Sequence, residues 1–303
     1  MMGVDNIAGW MRRRRGLRDR FNPYIAGTPV FDKHLFFGRE RLALRALRLL
    51  GSHSLEVTGE RRIGKTSFLH HLRRILAAEN GERRFFPVFV DLEGVTARDP
   101  FHAVMEEAVD ALAVPPRTLA ELRFCGRQSD YRAGDFSHDL ERVVEELSSR
   151  TKQPVRLVFL IDEIDAVRER PAPIAEPWLG PLLMDGLQEL RVVLAGVGRG
   201  ARGPGDTPRS RGGLDELELE PFTPDEAEAL VREPVAGVFR YEPRAVERIL
   251  QASRLRPFAI QKLCLRAVDR MLDEGRTTVR VSDVEATSWV DPGCSVLMND
   301  GPT

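Results

Sequence analysis

The chain has 303 residues, 42% of them hydrophobic and 30% charged, enough for one large or two modest domains with proper cores. Its 45 lysines and arginines nearly balance 46 aspartates and glutamates, so no global field drives it onto nucleic acid or an acidic membrane, and any such contact must be local. Cys125, Cys264 and Cys294, odd in number and far apart, fit neither a disulfide framework nor paired zinc ligands and suit a reducing cytoplasm.

The N-terminal stretch "IAGWMRRRRGLRDRF" carries six arginines, and Ile7, Trp10, Met11, Leu17 and Phe21 fall on one side if it is helical. It lacks the apolar core and small-residue cleavage site of a secretion signal, and no later run approaches the roughly 20 apolar residues of a membrane span. The chain is therefore expected to be cytoplasmic and unprocessed, with no membrane span. Arg12 to Arg15 are open to four readings: a nucleic-acid grip, a contact with an anionic membrane surface, a contact with an acidic partner, or a solvated tail.

From there, short apolar runs alternate with helical stretches. Strands are expected at Leu55 to Thr58, Phe85 to Leu92, Val155 to Ile161, Arg191 to Ala195 and Leu217 to Leu219. Helices are expected at Arg39 to Leu50, Thr66 to Ala78, Pro100 to Ala113, Phe136 to Ser149 and Trp178 to Leu190. "FFPVFVDL" and "VRLVFLID" are apolar on both faces, as in a parallel sheet covered by helices on either side. Residues 199–213, "RGARGPGDTPRSRGG", read as a long loop. After Pro221 the pattern turns helical: Thr223 and Glu226 form a capping box with Pro224 at the first helical position. Helices follow at Pro243 to Ala252 and Pro257 to Glu274, and "TTVRVSDVEA" reads as a short strand or wing and a helical turn. The expected division is a basic segment 1–21, a core domain 22–222, a small helical domain 223–290, winged in one reading, and a tail 291–303.

"TGERRIGKTSFL" holds a glycine-x4-glycine-lysine-threonine pattern between a strand and a helix. The glycines Gly59 and Gly64 allow the backbone to curl around phosphates and point its N–H groups inward. Arg62, Ile63 and Ser67 complete the loop, Lys65 reaches the β- and γ-phosphates, and Thr66 offers its hydroxyl to magnesium at a helix N-terminus. The apolar strand "VRLVFLID" ends in Asp162 at the carboxyl edge of the sheet, where a carboxylate can hold magnesium through water. Glu163 is placed to polarise a water for in-line attack on the γ-phosphate, and Asp165 reads as a helix cap.

The order of loop strand, acid-bearing strand and further strand resembles the P-loop ATPases that include AAA+ and prokaryotic STAND (signal-transducing) proteins. "NPYIAGTPVFDKHLFFGRE", Asn22 to Glu40, is similar to the entry segment of STAND-like and archaeal-type members. The resemblance covers about Asn22 to Val290. It implies an α/β fold with a five-stranded parallel sheet sandwiched by helices, followed by a helical lid, and ATP or ADP with Mg2+ as ligands. It implies that Phe37 and Gly38 line the base pocket, the alternative being a plain turn that caps the helix at Arg39. It implies that Arg199 contacts the γ-phosphate and that Pro257, in "ASRLRPFAIQKLC", touches the nucleotide. Leu255 departs from the glycine usual there; Arg254 and Arg256 are candidates for a second sensor.

Three functional readings follow. The first is a slow magnesium-dependent ATPase working as a conformational switch in a signalling or defence-type assembly. STAND proteins carry effector and sensor domains on the same chain; this sequence offers neither, so those partners are expected in trans, with homo-oligomerisation open. The second is a DNA-engaging AAA+ loader or initiator, with arginine segments on phosphate. The third is a scaffold that binds nucleotide without hydrolysing it.

Overall fold

The computed structural model describes residues 22–92, 100–126, 131–168, 187–197 and 214–287. The described residues pack as two units, one of those within 39–61 and 65–219, the other of 22–38, 62–64 and 220–287.

The first unit is built on strands with apolar residues on both faces, which must be covered on both sides. β1 (Ser54–Thr58), β2 (Arg84–Asp91), β3 (Val155–Asp162), β4 (Leu190–Ala195) and β5 (Leu214–Glu218) form one sheet in the order β2-β3-β4-β1-β5, every pair parallel. β4 therefore separates β1 from the acid-bearing β3. The helices are α1 (Glu40–Leu49), α2 (Lys65–Ala78), α3 (Pro100–Ala111), the single turn α4 (Pro116–Leu119), α5 (Ala133–Ser149) and the single turn α6 (Asp165–Arg168). On one face Val88, Val90, Leu157, Phe159, Ile161 and Val192 join a core with Val104 and Met105 of α3 and with Phe136, Leu140 and Val143 of α5. Alternation along β2 puts Phe89 on the other face, where its ring stacks on His70 of α2 with centroids 4.2 Å apart.

The expected elements appear with small shifts at their ends. Of the helix expected at Trp178 to Leu190, residues 178–186 lie outside the described residues, and 187–189 are non-helical. Leu190 opens β4 instead: it is buried and stands in register with Leu157, so packing against β3 overrides its helix propensity.

A fully buried carboxylate pins the connection between α3 and α5. Asp139 accepts from the N–H groups of Arg123 (3.0 Å) and Phe124 (2.9 Å) and from the Tyr131 hydroxyl (3.1 Å). Its charge is thereby solvated by the protein in place of water.

In the second unit the capping box forms: Glu226 N–H donates to Thr223 Oγ1 (3.3 Å) and Thr223 N–H to Glu226 Oε2 (2.9 Å), opening α7 (Pro224–Arg232). β6 (Arg240–Tyr241), α8 (Pro243–Ser253), α9 (Pro257–Asp273), β7 (Thr278–Val279) and α10 (Val281–Glu285) follow. The strand expected in "TTVRVSDVEA" pairs in parallel with β6. Cys264 is buried in α9 with its thiol pushed up to about 12 by burial, behaving as a core residue rather than a reactive one. Residues 22–38, expected within the core domain, belong to this unit instead. The buried Tyr24 hydroxyl donates to the Val231 carbonyl, its ring sits edge-on to Tyr241, and Asn22 Nδ2 donates to the Leu265 carbonyl and to Asp269 Oδ1, both at 2.7 Å. A tyrosine buried with its hydroxyl satisfied is a strong anchor, and it decides where this segment lies.

Replacing Asp139 by Ala leaves the buried Tyr131 hydroxyl and two part-buried N–H donors unmet and should lower the free energy of unfolding by about 2 kcal/mol, read from urea denaturation.

Candidate functional site

Three adjoining pieces of chain meet at the carboxyl edge of the sheet: the end of β1 with the loop after it, the end of β3, and the end of β4. Between β1 and α2 the loop bends as the glycine spacing demands, with Gly59 at φ 153° and Gly64 at φ 99°. Both lie in the region open to glycine and strained for other residues. Arg62 also takes a left-handed conformation (φ 62°), and its guanidinium lies over the Phe258 ring, 4.7 Å from the centroid. Ile63 is buried, which anchors the loop tip, while Thr66 and Ser67 are half-buried at the start of α2.

Lys65 is buried, and its ammonium donates to the carbonyls of Gly59 (2.9 Å) and Glu60 (3.1 Å). Burial pulls its pKa below the usual lysine value, while the charges of Glu163, Asp162 and Asp165 act to raise it. The loop lysine and the acids after β3 are thus close enough to feel each other.

Asp162 is 2% exposed. Burial raises its pKa, and the neighbouring charge of Asp91 adds to the rise; hydrogen bonds from the Thr66 hydroxyl and the Glu163 N–H (3.0 Å) act against it. A hydroxyl and a carboxylate, one from α2 and one from β3, are side by side. These are hard oxygen donors of the kind magnesium takes, so Thr66 and Asp162 fit that ion.

Glu163 breaks the strand. It adopts φ 51°, a left-handed conformation that costs a non-glycine residue about 1–2 kcal/mol. The kink takes Glu163 out of the alternation of β3 and leaves it half-buried beside Asp162. Asp165 was expected to cap a helix. It is the first residue of α6 instead, and its carboxylate accepts the N–H of Val197, just past the end of β4. Gly196 is required there, because a Cβ would stand 2.8 Å from the Asp165 carboxylate and from Ile164.

The other candidate residues lie in the second unit or outside the described residues. Phe37 packs against the helical unit's core, and Gly38, at φ 67°, sits so that a Cβ would meet Phe222 and Glu226 at 3.2 Å. Arg39 caps α1 through its backbone alone, with no side-chain hydrogen bond to the helix end. Pro257 is the first residue of α9. Just before it, Arg254 (φ 49°) and Leu255 (φ 60°) are both left-handed, so position 255 keeps a glycine-like backbone with a leucine in place. That turn lets the Leu255 carbonyl accept the Phe222 N–H at 2.9 Å. Arg199 lies outside the described residues.

One acid at this edge went unnoticed in the sequence. Asp91 ends β2 in register with Asp162. "FFPVFVD" shows the same signal as "VRLVFLID", an apolar strand closed by an aspartate.

No family model and no curated protein matches the chain. Solved structures do. A Walker-type ATPase of Pyrococcus abyssi aligns with a TM-score of 0.59 at 14% identity over 83% of this chain and 73% of its own. The chain has a P-loop NTPase fold, a five-stranded parallel sheet with flanking helices. The ORC1 protein of Aeropyrum pernix, solved in complex with DNA, aligns at TM-score 0.55 and 18% identity, over 84% of this chain and 66% of its own. Drosophila ORC bound to DNA aligns at 0.58 and 15%, over 87% and 62%. The chain thus spans less than two thirds of each of these two ORC chains.

Glu163→Gly removes the left-handed strain and should raise the free energy of unfolding by about 1 kcal/mol, measured by chemical denaturation without nucleotide.

Proposed function

We propose that this protein is a magnesium-dependent ATPase whose nucleotide state controls its conformation. The observation that carries the proposal is the grouping at the sheet edge. A loop with both glycines at positive φ runs into a buried lysine, and the hydroxyl of Thr66 bonds to the carboxylate of Asp162, with Glu163 next in line.

In this reading the backbone N–H groups of residues 59–65 and the N-terminus of α2 receive the phosphates. Lys65 exchanges two neutral carbonyl acceptors for phosphate oxygens, which as anions are the stronger partners. Thr66 and Asp162 would hold magnesium, which would supply charge neutralisation at the phosphates. Glu163 orients and polarises the attacking water. Its left-handed kink, kept at a cost to stability, holds it beside Lys65 and Asp162. Phe37, Gly38 and Pro257 are proposed contacts for the base and Arg199 for the γ-phosphate. Residues 223–290 are proposed as the lid whose response to nucleotide carries the output.

The proposed setting is a STAND-like switch in the cytoplasm that works with an effector or sensor encoded separately. That setting rests on the resemblance of Asn22 to Glu40. Among the described residues no helix is long and apolar enough to cross a membrane. A second reading, an initiator-like ATPase that engages DNA, is favoured by the two similar structures that were solved with DNA.

Equilibrium binding and phosphate release test the proposal. Wild type should bind ATP and release phosphate; Lys65→Ala should lose binding; Glu163→Gln should keep binding while turnover falls by about 100-fold or more. Absence of ATP binding in wild type, or undiminished turnover in Glu163→Gln, would contradict it. Turnover that appears only with duplex DNA would favour the second reading.

A further inference from the structure

We infer that Asp91 is a second carboxylate of the magnesium edge, a positioning residue whose charge makes the phosphate site prefer the metal-bound nucleotide over the bare one. The inference rests on the ATPase reading above.

Register and parity place it. In the parallel ladder of β2 and β3, Asp91 stands opposite Asp162, and neighbouring strands lie about 4.8 Å apart. Residues in register in a parallel pair share a face. Phe89, two residues before Asp91, stacks on His70 of α2, so the Phe89 and Asp91 face is the one that α2 covers. Thr66 lies on that helix one turn before His70, and its hydroxyl reaches Asp162 there. Asp91 therefore ends its strand on the same side of the sheet as the two proposed magnesium ligands, and it is exposed.

Like charges opposed across strands are destabilising, and an aspartate at the end of a strand has low β-propensity. A divalent cation reverses the sign, because each carboxylate then faces a positive charge. The consequence is a crossover that no packing role would produce. Without metal, Asp91 repels the phosphates; with metal, it helps to hold them.

The test uses the full chain and a fluorescent ADP analogue, titrated in EDTA and then across a magnesium series, with unliganded melting temperatures alongside. Asp91→Asn should bind the bare nucleotide more tightly than wild type, melt no lower, and need about tenfold more magnesium to reach half of its metal-dependent gain in affinity. Asp91→Glu, which keeps the charge, should stay near wild type in magnesium. The inference is overturned if Asp91→Asn has the wild-type magnesium midpoint, or if it melts lower and binds less well both with and without metal. If wild type responds to magnesium and Asp91→Asn keeps its midpoint, this inference alone fails. If wild type binds no nucleotide, or Lys65→Ala binds as well as wild type, the ATPase reading fails with it.

Discussion

The site depends on keeping a carboxylate, Asp162, buried at the end of a parallel strand. Burial opposes its charge, and three features of the fold offset the penalty: the Thr66 hydroxyl, the Glu163 N–H, and the Lys65 ammonium whose charge acts on it. Each comes from a different constraint. Thr66 is fixed because α2 starts where the glycine loop ends, Glu163 because the chain kinks out of β3, and Lys65 because its stem is buried beneath the loop. The strand order explains why these pieces face one another, since β1 and β3 flank β4 and all five strands end on the same edge. A parallel sheet is thus more than a scaffold here; it brings segments far apart in sequence to one line.

Left-handed backbone occurs both at this chemistry and in the helical unit. Among the described residues the non-glycine positions with positive φ include Arg62, Glu163, Arg254 and Leu255, alongside Arg39 and Ala113. Arg62 lies in the loop and Glu163 beside the acid, while Arg254 and Leu255 immediately precede the turn into Pro257. Backbone held in such conformations costs about 1–3 kcal/mol per residue and persists where the surroundings impose it. At Leu255 the gain is visible, because the turned carbonyl receives the Phe222 N–H. At Glu163 the kinked backbone donates its N–H to Asp162 Oδ1 at 3.0 Å, and its carbonyl accepts the Ala166 N–H at 2.9 Å.

Much of this was legible in the sequence. Strands buried on both faces write themselves as unbroken apolar runs, so β2 and β3 were located to within a residue. The glycine loop was equally plain, because its dihedrals admit few other residues. Other features leave no such trace. Leu190 reads as the end of a helix because its partner in register, Leu157, is 33 positions away in the chain. The residence of 22–38 in the helical unit depends on where Tyr24 finds an acceptor for its hydroxyl, which only the tertiary structure reveals. The left-handed backbone at Glu163 and Leu255 is invisible because no glycine marks it. Asp91 showed the right signal and was passed over, since its importance comes from the register of β2 against β3 rather than from its own neighbours.

The central claim, that residues 59–66 and Asp162 form one magnesium–nucleotide site, is tested most directly by a crystal structure of the protein grown with ADP, beryllium fluoride and magnesium. The account predicts phosphates held by the backbone N–H groups of residues 59–65, Lys65 Nζ moved from the Gly59 and Glu60 carbonyls onto phosphate oxygen, and a metal ion held by Thr66 and Asp162. A nucleotide bound elsewhere, or Lys65 still on those two carbonyls beside a bound nucleotide, would contradict it.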